Sequence, residues 1–212
     1  MDLIHPGIQS YAEKLSSPED NLLHEVNRRT VEEHREHHML SGHLQGKVLE
    51  MISYMLRPSR ILEIGTFTGY SALCLAKGLT PEGKLHTIEL RETDARTAKG
   101  YFMRSHYADQ IILHTGNALD IVPQLDEEWD LVFIDADKPA YIEYFKLVLP
   151  KVRKNGFILA DNIFFHGEVL EDEPKGKSAK GIIDFNQFIQ TRNDVDKCVL
   201  TLRDGLFLIR KI

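Results

Sequence analysis

Two blocks of the sequence carry the residues best suited to chemistry. WDLVFIDADK (129–138) closes on Asp135, Asp137 and Lys138, and GFILADN (156–162) closes on Asp161 and Asn162. If both runs are strands of one parallel sheet, their carboxyl ends open on the same edge, and the oxygens converge there beside an ammonium. Two carboxylates and an amide carbonyl suit a hard divalent cation, Mg²⁺ first and Ca²⁺ or Mn²⁺ after it, with coordination positions left open for a ligand. Taken singly, each acid has a plainer reading as a helix cap or turn residue. Their occurrence at two successive strand ends favours the site.

A second cluster lies upstream. ILEIGTFTGYS (61–71) reads as a strand, a glycine-bearing turn and the start of a helix, a geometry that aims backbone N–H groups at a ligand. Gly65 and Gly69 are separated by Thr66, Phe67 and Thr68, so the G-x-G-x-x-G spacing of a pyrophosphate cradle is missing and NAD is disfavoured. Glu89 ends KLHTIEL (84–90), roughly 20 residues past the turn, where an acid can accept hydrogen bonds from both hydroxyls of a ribose. The ligand expected is a ribose-bearing one.

Both clusters need a scaffold that brings strand ends together. From Gly46 onward short apolar runs alternate with helix-length segments, the pattern of βα units on a parallel sheet. The strands expected are RILEIG (60–65), KLHTIEL (84–90), QIILHTG (110–116), WDLVFIDA (129–136) and GFILADN (156–162). KCVLTLR and GLFLIRKI flank Arg203-Asp204-Gly205, where Asp-Gly predicts an antiparallel hairpin at the sheet edge. Residues 1–45 read as a helical extension and 46–212 as the α/β core of one domain. Ser17-Pro18-Glu19-Asp20 suggests a helix start with Ser17 as cap and Pro18 in the first position. The charged, glycine-bearing stretch 167–181 reads as a surface loop.

Bulk features narrow the function. No apolar run approaches the ~18 residues of a membrane span, and the amino-terminal residues lack a secretory pattern, so a cytoplasmic location is expected. The two cysteines, Cys74 and Cys198, are far apart and read as reduced core thiols. A net charge of −6 argues against extended contact with nucleic acid. His34, His37 and His38 read as part of a solvated polar face, and no role is assigned to them.

Taken together, LEIGTFTGYS, FIDADK and ADN resemble the class I S-adenosylmethionine-dependent O-methyltransferases of the cation-dependent caffeoyl-CoA and catechol type. The resemblance runs from MLSGHLQG near residue 40 to the final DGLFLIRKI. It implies a Rossmann-like fold with helices on both faces of a seven-stranded, mostly parallel sheet whose last strand is antiparallel. It also implies S-adenosylmethionine held by Ser41, Glu63, Gly65, Thr66, Ser71, Glu89, Ala118 and Asp137. Asp135, Asp161 and Asn162 correspond to the family's metal ligands, Lys138 to its catalytic base, and a homodimer is expected. The substrate implied is a small ortho-dihydroxy aromatic, with His166 in the IFFHG stretch, the amino-terminal helices and the 167–181 loop as specificity elements. Ionising a phenol at neutral pH costs ~4 kcal/mol, which a divalent cation at its oxygen would largely offset. Two other readings stay open. One is a tRNA hydroxyuridine methyltransferase, with Arg57, Arg60, Lys175, Lys177 and Lys180 as phosphate contacts. The other is a cofactor-binding module without catalysis.

Overall fold

Strands form where isoleucine, leucine, valine and phenylalanine crowd together and can be buried on both faces of a sheet. The computed structural model describes residues 5–212. Its strands are β1 (Arg60–Ile64), β2 (Lys84–Glu89), β3 (Ile111–Thr115), β4 (Trp129–Ile134), β5 (Val152–Asp161), β6 (Val195–Leu200) and β7 (Leu206–Lys211). They make one seven-stranded sheet in the order β3-β2-β1-β4-β5-β7-β6. The first five are parallel, and β7 runs antiparallel to both β5 and β6.

The helices are α1 (Pro6–Leu15), α2 (Asn21–Glu33), α3 (Gly42–Leu56), α4 (Tyr70–Ala76), α5 (Glu92–Phe102), α6 (Ala118–Ile121), α7 (Tyr141–Val148) and α8 (Gly176–Gln190). They cover the sheet on both sides. One face packs Tyr141, Phe145, Ile182 and Phe185 of α7 and α8 against Leu62, Val132 and Ile158. The other packs Leu49 of α3, Leu73 of α4 and Ala98 of α5 against Ile61, Leu131 and Leu159. Among the described residues no helix is long and apolar enough to cross a membrane.

The strand order fixes where a ligand can sit. From β1 the chain winds outward through β2 to β3, then returns to lay β4 on the other side of β1. The helices that follow β1 and β4 therefore leave on opposite sides, and a crevice opens between the carboxyl ends of those two strands. Gly65 and Asp135 stand at its lips.

Several local expectations are corrected. Helix α2 starts at Asn21 rather than beside Ser17: Asp20 is the cap, its Oδ1 accepting the Leu23 N–H at 2.9 Å. Both Ser17 and Asp20 are capping residue types, and the buried stripe Leu23, Val26 and Thr30 selects the later start. The 167–181 segment is irregular only in its middle, because a short helical turn spans Phe165–Leu170 and α8 begins at Gly176 and buries Ala179 and Ile182. Cys74 is a buried thiol, but Cys198 is exposed on β6. The antiparallel hairpin expected at the sheet edge is present, with β7 inserted between β5 and the edge strand β6.

Candidate active site

A cavity of about 540 Å³ opens at the carboxyl edge of the sheet, over the β1/β4 crevice. On its β1 side the chain turns through Gly65 (φ +103°), Thr66 and Phe67 (φ +50°) before α4 begins. Glu89, buried at the end of β2, holds this turn open: its Oε2 accepts the Phe67 N–H at 2.7 Å and its Oε1 the Arg91 N–H at 2.9 Å. Each carboxylate oxygen keeps a further acceptor site, so Glu89 can also take ribose hydroxyls. Below the turn, the Thr87 hydroxyl accepts from Thr66 and donates to Glu63 Oε2, both at 2.5 Å. Burial pushes the Glu63 carboxyl up to about 8, an effect that the Ser71 and Thr87 hydroxyls offset only in part.

The segment between α2 and α3 covers the cavity. A short helical turn, His37–Met39, brings His38, Met39, Leu40 and Ser41 to the cavity wall. His34 anchors this cover: its Nε2 lies 3.2 Å from Asp94 Oδ1, and its ring meets the Phe67 ring edge-on at 4.6 Å. The histidine to which the sequence reading gave no role thus fastens the amino-terminal segment to the cofactor-type turn.

On the β4/β5 side the acids gather. Asp161 is buried, its Oδ2 accepting from Gln45 Nε2 at 2.7 Å and its Oδ1 from the Asn162 N–H at 2.8 Å. Burial and the charge of Asp135 push its carboxyl up to about 7, against the pull of Lys138, Gln45 and Arg203. Lys138 Nζ donates to Asp135 Oδ1 and to Tyr141 Oη, both at 2.8 Å. Burial pulls the Lys138 ammonium down, but Asp135, Tyr141 and Asp161 outweigh it and hold the group well above the usual lysine range. Lys138 is therefore an ammonium in this arrangement. Asn162 sits at φ +57° and reaches Asp204 Oδ2 with its Nδ2 at 3.4 Å.

The donor set fits a hard cation. Among the described residues no three His, Cys, Asp or Glu side chains gather in metal-ligand fashion, so an ion here would rest on two carboxylates and the neutral Asn162 oxygen. A sealed carboxyl raised by a neighbouring acid is the electrostatic condition that a divalent cation relieves.

Residues 13–212 match the family described as O-methyltransferase. The chain belongs to the O-methyltransferase family. Over 162 residues, 74% of this chain and 73% of the relative, it is 36% identical to a catechol O-methyltransferase of Niastella koreensis. It is 31% identical to caffeoyl-CoA O-methyltransferase 1 of Eucalyptus globulus over 79% of this chain and 73% of that one. The solved O-methyltransferase TomG of Streptomyces achromogenes, in complex with SAM, superposes with a TM-score of 0.87 at 31% identity, covering 97% of this chain and 96% of that one. An O-methyltransferase from Bacillus cereus in complex with SAH gives 0.86 at 29% identity, covering 97% of each chain.

In this O-methyltransferase the fold brings twelve of the thirteen residues singled out from sequence to one cavity: Ser41, Gly65, Thr66, Ser71, Glu89, Ala118, Asp135, Asp137, Lys138, Asp161, Asn162 and His166. Glu63 is the exception and lies sealed beneath the turn. His166 is at the mouth, its side chain 71% exposed, with its N–H donated to Asp204 Oδ1 at 2.7 Å. Sequence reasoning missed Gln45, Tyr141, Arg203 and Asp204. In sequence Arg203-Asp204-Gly205 carries the signal of a turn alone, although the same tip brings two charged residues to the cavity wall.

Proposed function

We propose that this O-methyltransferase moves the methyl group of S-adenosylmethionine to one hydroxyl of a small ortho-dihydroxy aromatic, with a divalent cation held by Asp135, Asp161 and Asn162. The observation that carries the reading is the placement of these three residues and Lys138 on one wall of a cavity whose opposite wall is the Gly65–Phe67 turn with Glu89. In the transfer the sulfur–methyl bond breaks, its electron pair stays on sulfur, a carbon–oxygen bond forms, and the phenolic proton is released to solvent water. The solved relatives holding SAM or SAH support the choice of donor.

When bound, the cation supplies Lewis acidity that lowers the phenol's pKa and lets both vicinal oxygens be aimed together. The chain's own groups do the rest. Glu89 takes the ribose, and the cover from His38 to Ser41 limits water. Lys138 Nζ, fixed by Asp135 and Tyr141, donates a hydrogen bond toward the developing phenolate and stabilises its charge. It becomes a proton acceptor only where the charges of Asp135 and Asp161 are taken up by another partner. Asp161 is held in one orientation by Gln45 and the Asn162 N–H, so its oxygens do not have to reorganise during reaction. Arg57 and Arg60, proposed phosphate contacts for a tRNA substrate, lie at the amino end of β1, away from the cavity, and Arg60 is paired with Glu127 at 2.8 Å.

The test uses labelled S-adenosylmethionine with catechol or bulk tRNA, with and without chelator. Transfer to catechol should vanish in chelator and return with Mg²⁺, while calorimetry shows the donor still binding. Transfer that continues in chelator removes the metal role, and labelled tRNA with unlabelled catechol removes the substrate class.

A further inference from the structure

Arg203 occupies an unusual position. It sits at the tip of the β6–β7 hairpin with φ +48°, a left-handed conformation that a non-glycine residue adopts only at a cost in backbone strain. Its guanidinium lines the cavity on the Asp161 side, whereas the cofactor-type turn is served by Arg91. Nη1 takes up all of its hydrogen bonds: to the Leu40 carbonyl at 2.9 Å, to the Ser41 carbonyl, and to Gln45 Oε1 at 3.5 Å. Among the described residues Nε and Nη2 have no hydrogen-bond partner, and neither is sealed from solvent.

The other cations of the cavity are spoken for. Lys138 pairs with Asp135 at 2.8 Å and Arg91 with Asp94 at 2.7 Å. Among the described residues Arg203 has no carboxylate partner, so it is a half-buried cation with one open edge on the wall beside the acids. Three acceptors on Nη1 fix the plane of the fork, and the Nε/Nη2 edge is the one that takes a carboxylate side-on through two parallel hydrogen bonds. The cavity must also hold the methyl donor, which leaves room for a compact anion rather than a long one.

We propose that Arg203 is a specificity-determining residue that binds a carboxylate on the substrate, so that the diol this enzyme prefers is an aromatic acid. The inference rests on the diol reading above and adds to it the charge of the ring's substituent. The hairpin turn keeps its strained arginine because the guanidinium is held from one side by the cover segment and offered on the other to the ligand.

The experiment compares caffeate with methyl caffeate, which keep the same ring and diol but differ by one charge. Initial rates are measured with Mg²⁺ and S-adenosylmethionine for the wild type, Arg203→Gly and Arg203→Lys. Glycine adopts the left-handed turn freely, so the first variant removes the guanidinium and relieves backbone strain. A charge-assisted pair predicts that the wild type favours the acid in kcat/KM by on the order of 10–100-fold. Arg203→Gly should erase that ratio through the KM of the acid, and Arg203→Lys should restore only part of it. Affinity for S-adenosylmethionine, titrated separately, reports any loosening of Leu40 and Ser41. An acid preference that survives in Arg203→Gly overturns the proposal, as does equal use of both compounds by the wild type. Methylation of neither compound removes the diol reading and this inference with it.

Discussion

Replacing Gly65 by alanine probes the point where the two halves of the site touch. Gly65 follows β1 at φ +103°, and a Cβ built there would lie 1.9 Å from the Asp135 carbonyl oxygen and 2.6 Å from its carbon. Ordinary contact needs more than 3 Å, so the turn and the end of β4 must separate by over 1 Å. The backbone conformation adds ~1–3 kcal/mol, and overpacking adds a further ~1–3 kcal/mol. The sum, roughly 2–6 kcal/mol, is a large share of the ~5–15 kcal/mol that stabilises a typical domain. At ~2–4 °C per kcal/mol for a chain of this size, melting should fall by roughly 4–24 °C. Because Thr66 and Asp135 both move, donor affinity and transfer rate should fall together. Gly100 is the control: it lies within α5, a Cβ there meets nothing within 4 Å, and Gly100→Ala should stabilise by up to ~1 kcal/mol. Circular-dichroism melting and calorimetric titration of S-adenosylmethionine measure both variants. Gly65→Ala melting within ~2 °C of the wild type and binding the donor normally would refute the argument.

Two further outcomes follow from the carboxylates. Glu89→Gln leaves an amide facing the Phe67 and Arg91 N–H groups, where one donor must meet another, so the affinity for S-adenosylmethionine should drop on the order of 10–100-fold in calorimetry, and unchanged affinity would count against the ribose role. Glu63 is held up to about 8 in the folded chain against 4.5 when free, so folding retains its proton, and the stability this group lends is whole below pH 4.5 and drains away as pH rises toward 8. In the cofactor-free protein Glu63→Gln should therefore flatten the loss between pH 6.5 and 8, about 1.4 kcal/mol per unit, seen by urea unfolding. His86, lowered to about 4 by burial and His114, is neutral in the folded chain throughout this window, and the same His86 term is present in the wild type and in Glu63→Gln, so it cancels in the comparison. An unaltered slope would show that burial does not govern Glu63.

Much of the site was legible because a parallel sheet puts the ends of its strands on one edge. Glu89, Asp135 and Asp161 each terminate or follow an apolar run, so locating the runs located the acids. The same logic fails where pairing is distant. Gln45 and Asp161 are 116 positions apart, and Arg203 and Leu40 163, with no local pattern to join them. Helix α8 was obscured by its first turns, GKSAKG, whose composition is that of a loop; its apolar period shows only when Ala179, Ile182, Phe185 and Ile189 are read together. Cys198 was misjudged because β6 exposes Asp196 through Val199, so a thiol on this edge strand is not sealed as one in α4 is.

The insertion of β7 between β5 and β6 has a kinetic side. The tip that precedes β7 ties both walls of the cavity: Arg203 grips Leu40 and Ser41, Asp204 takes the His166 N–H, and the Asp204 and Gly205 carbonyls accept from Phe164 and Ile163. All of those walls are synthesised before the knot that joins them. Contacts of such long sequence separation are slow to close and belong with the last events of folding. A nascent chain could thus assemble β1 to β3 and the turn at Gly65 well before the acid wall is braced against its cover. The hairpin tip acts as the final clasp of the enzyme, and the mouth of the cavity is where the folded chain should first breathe.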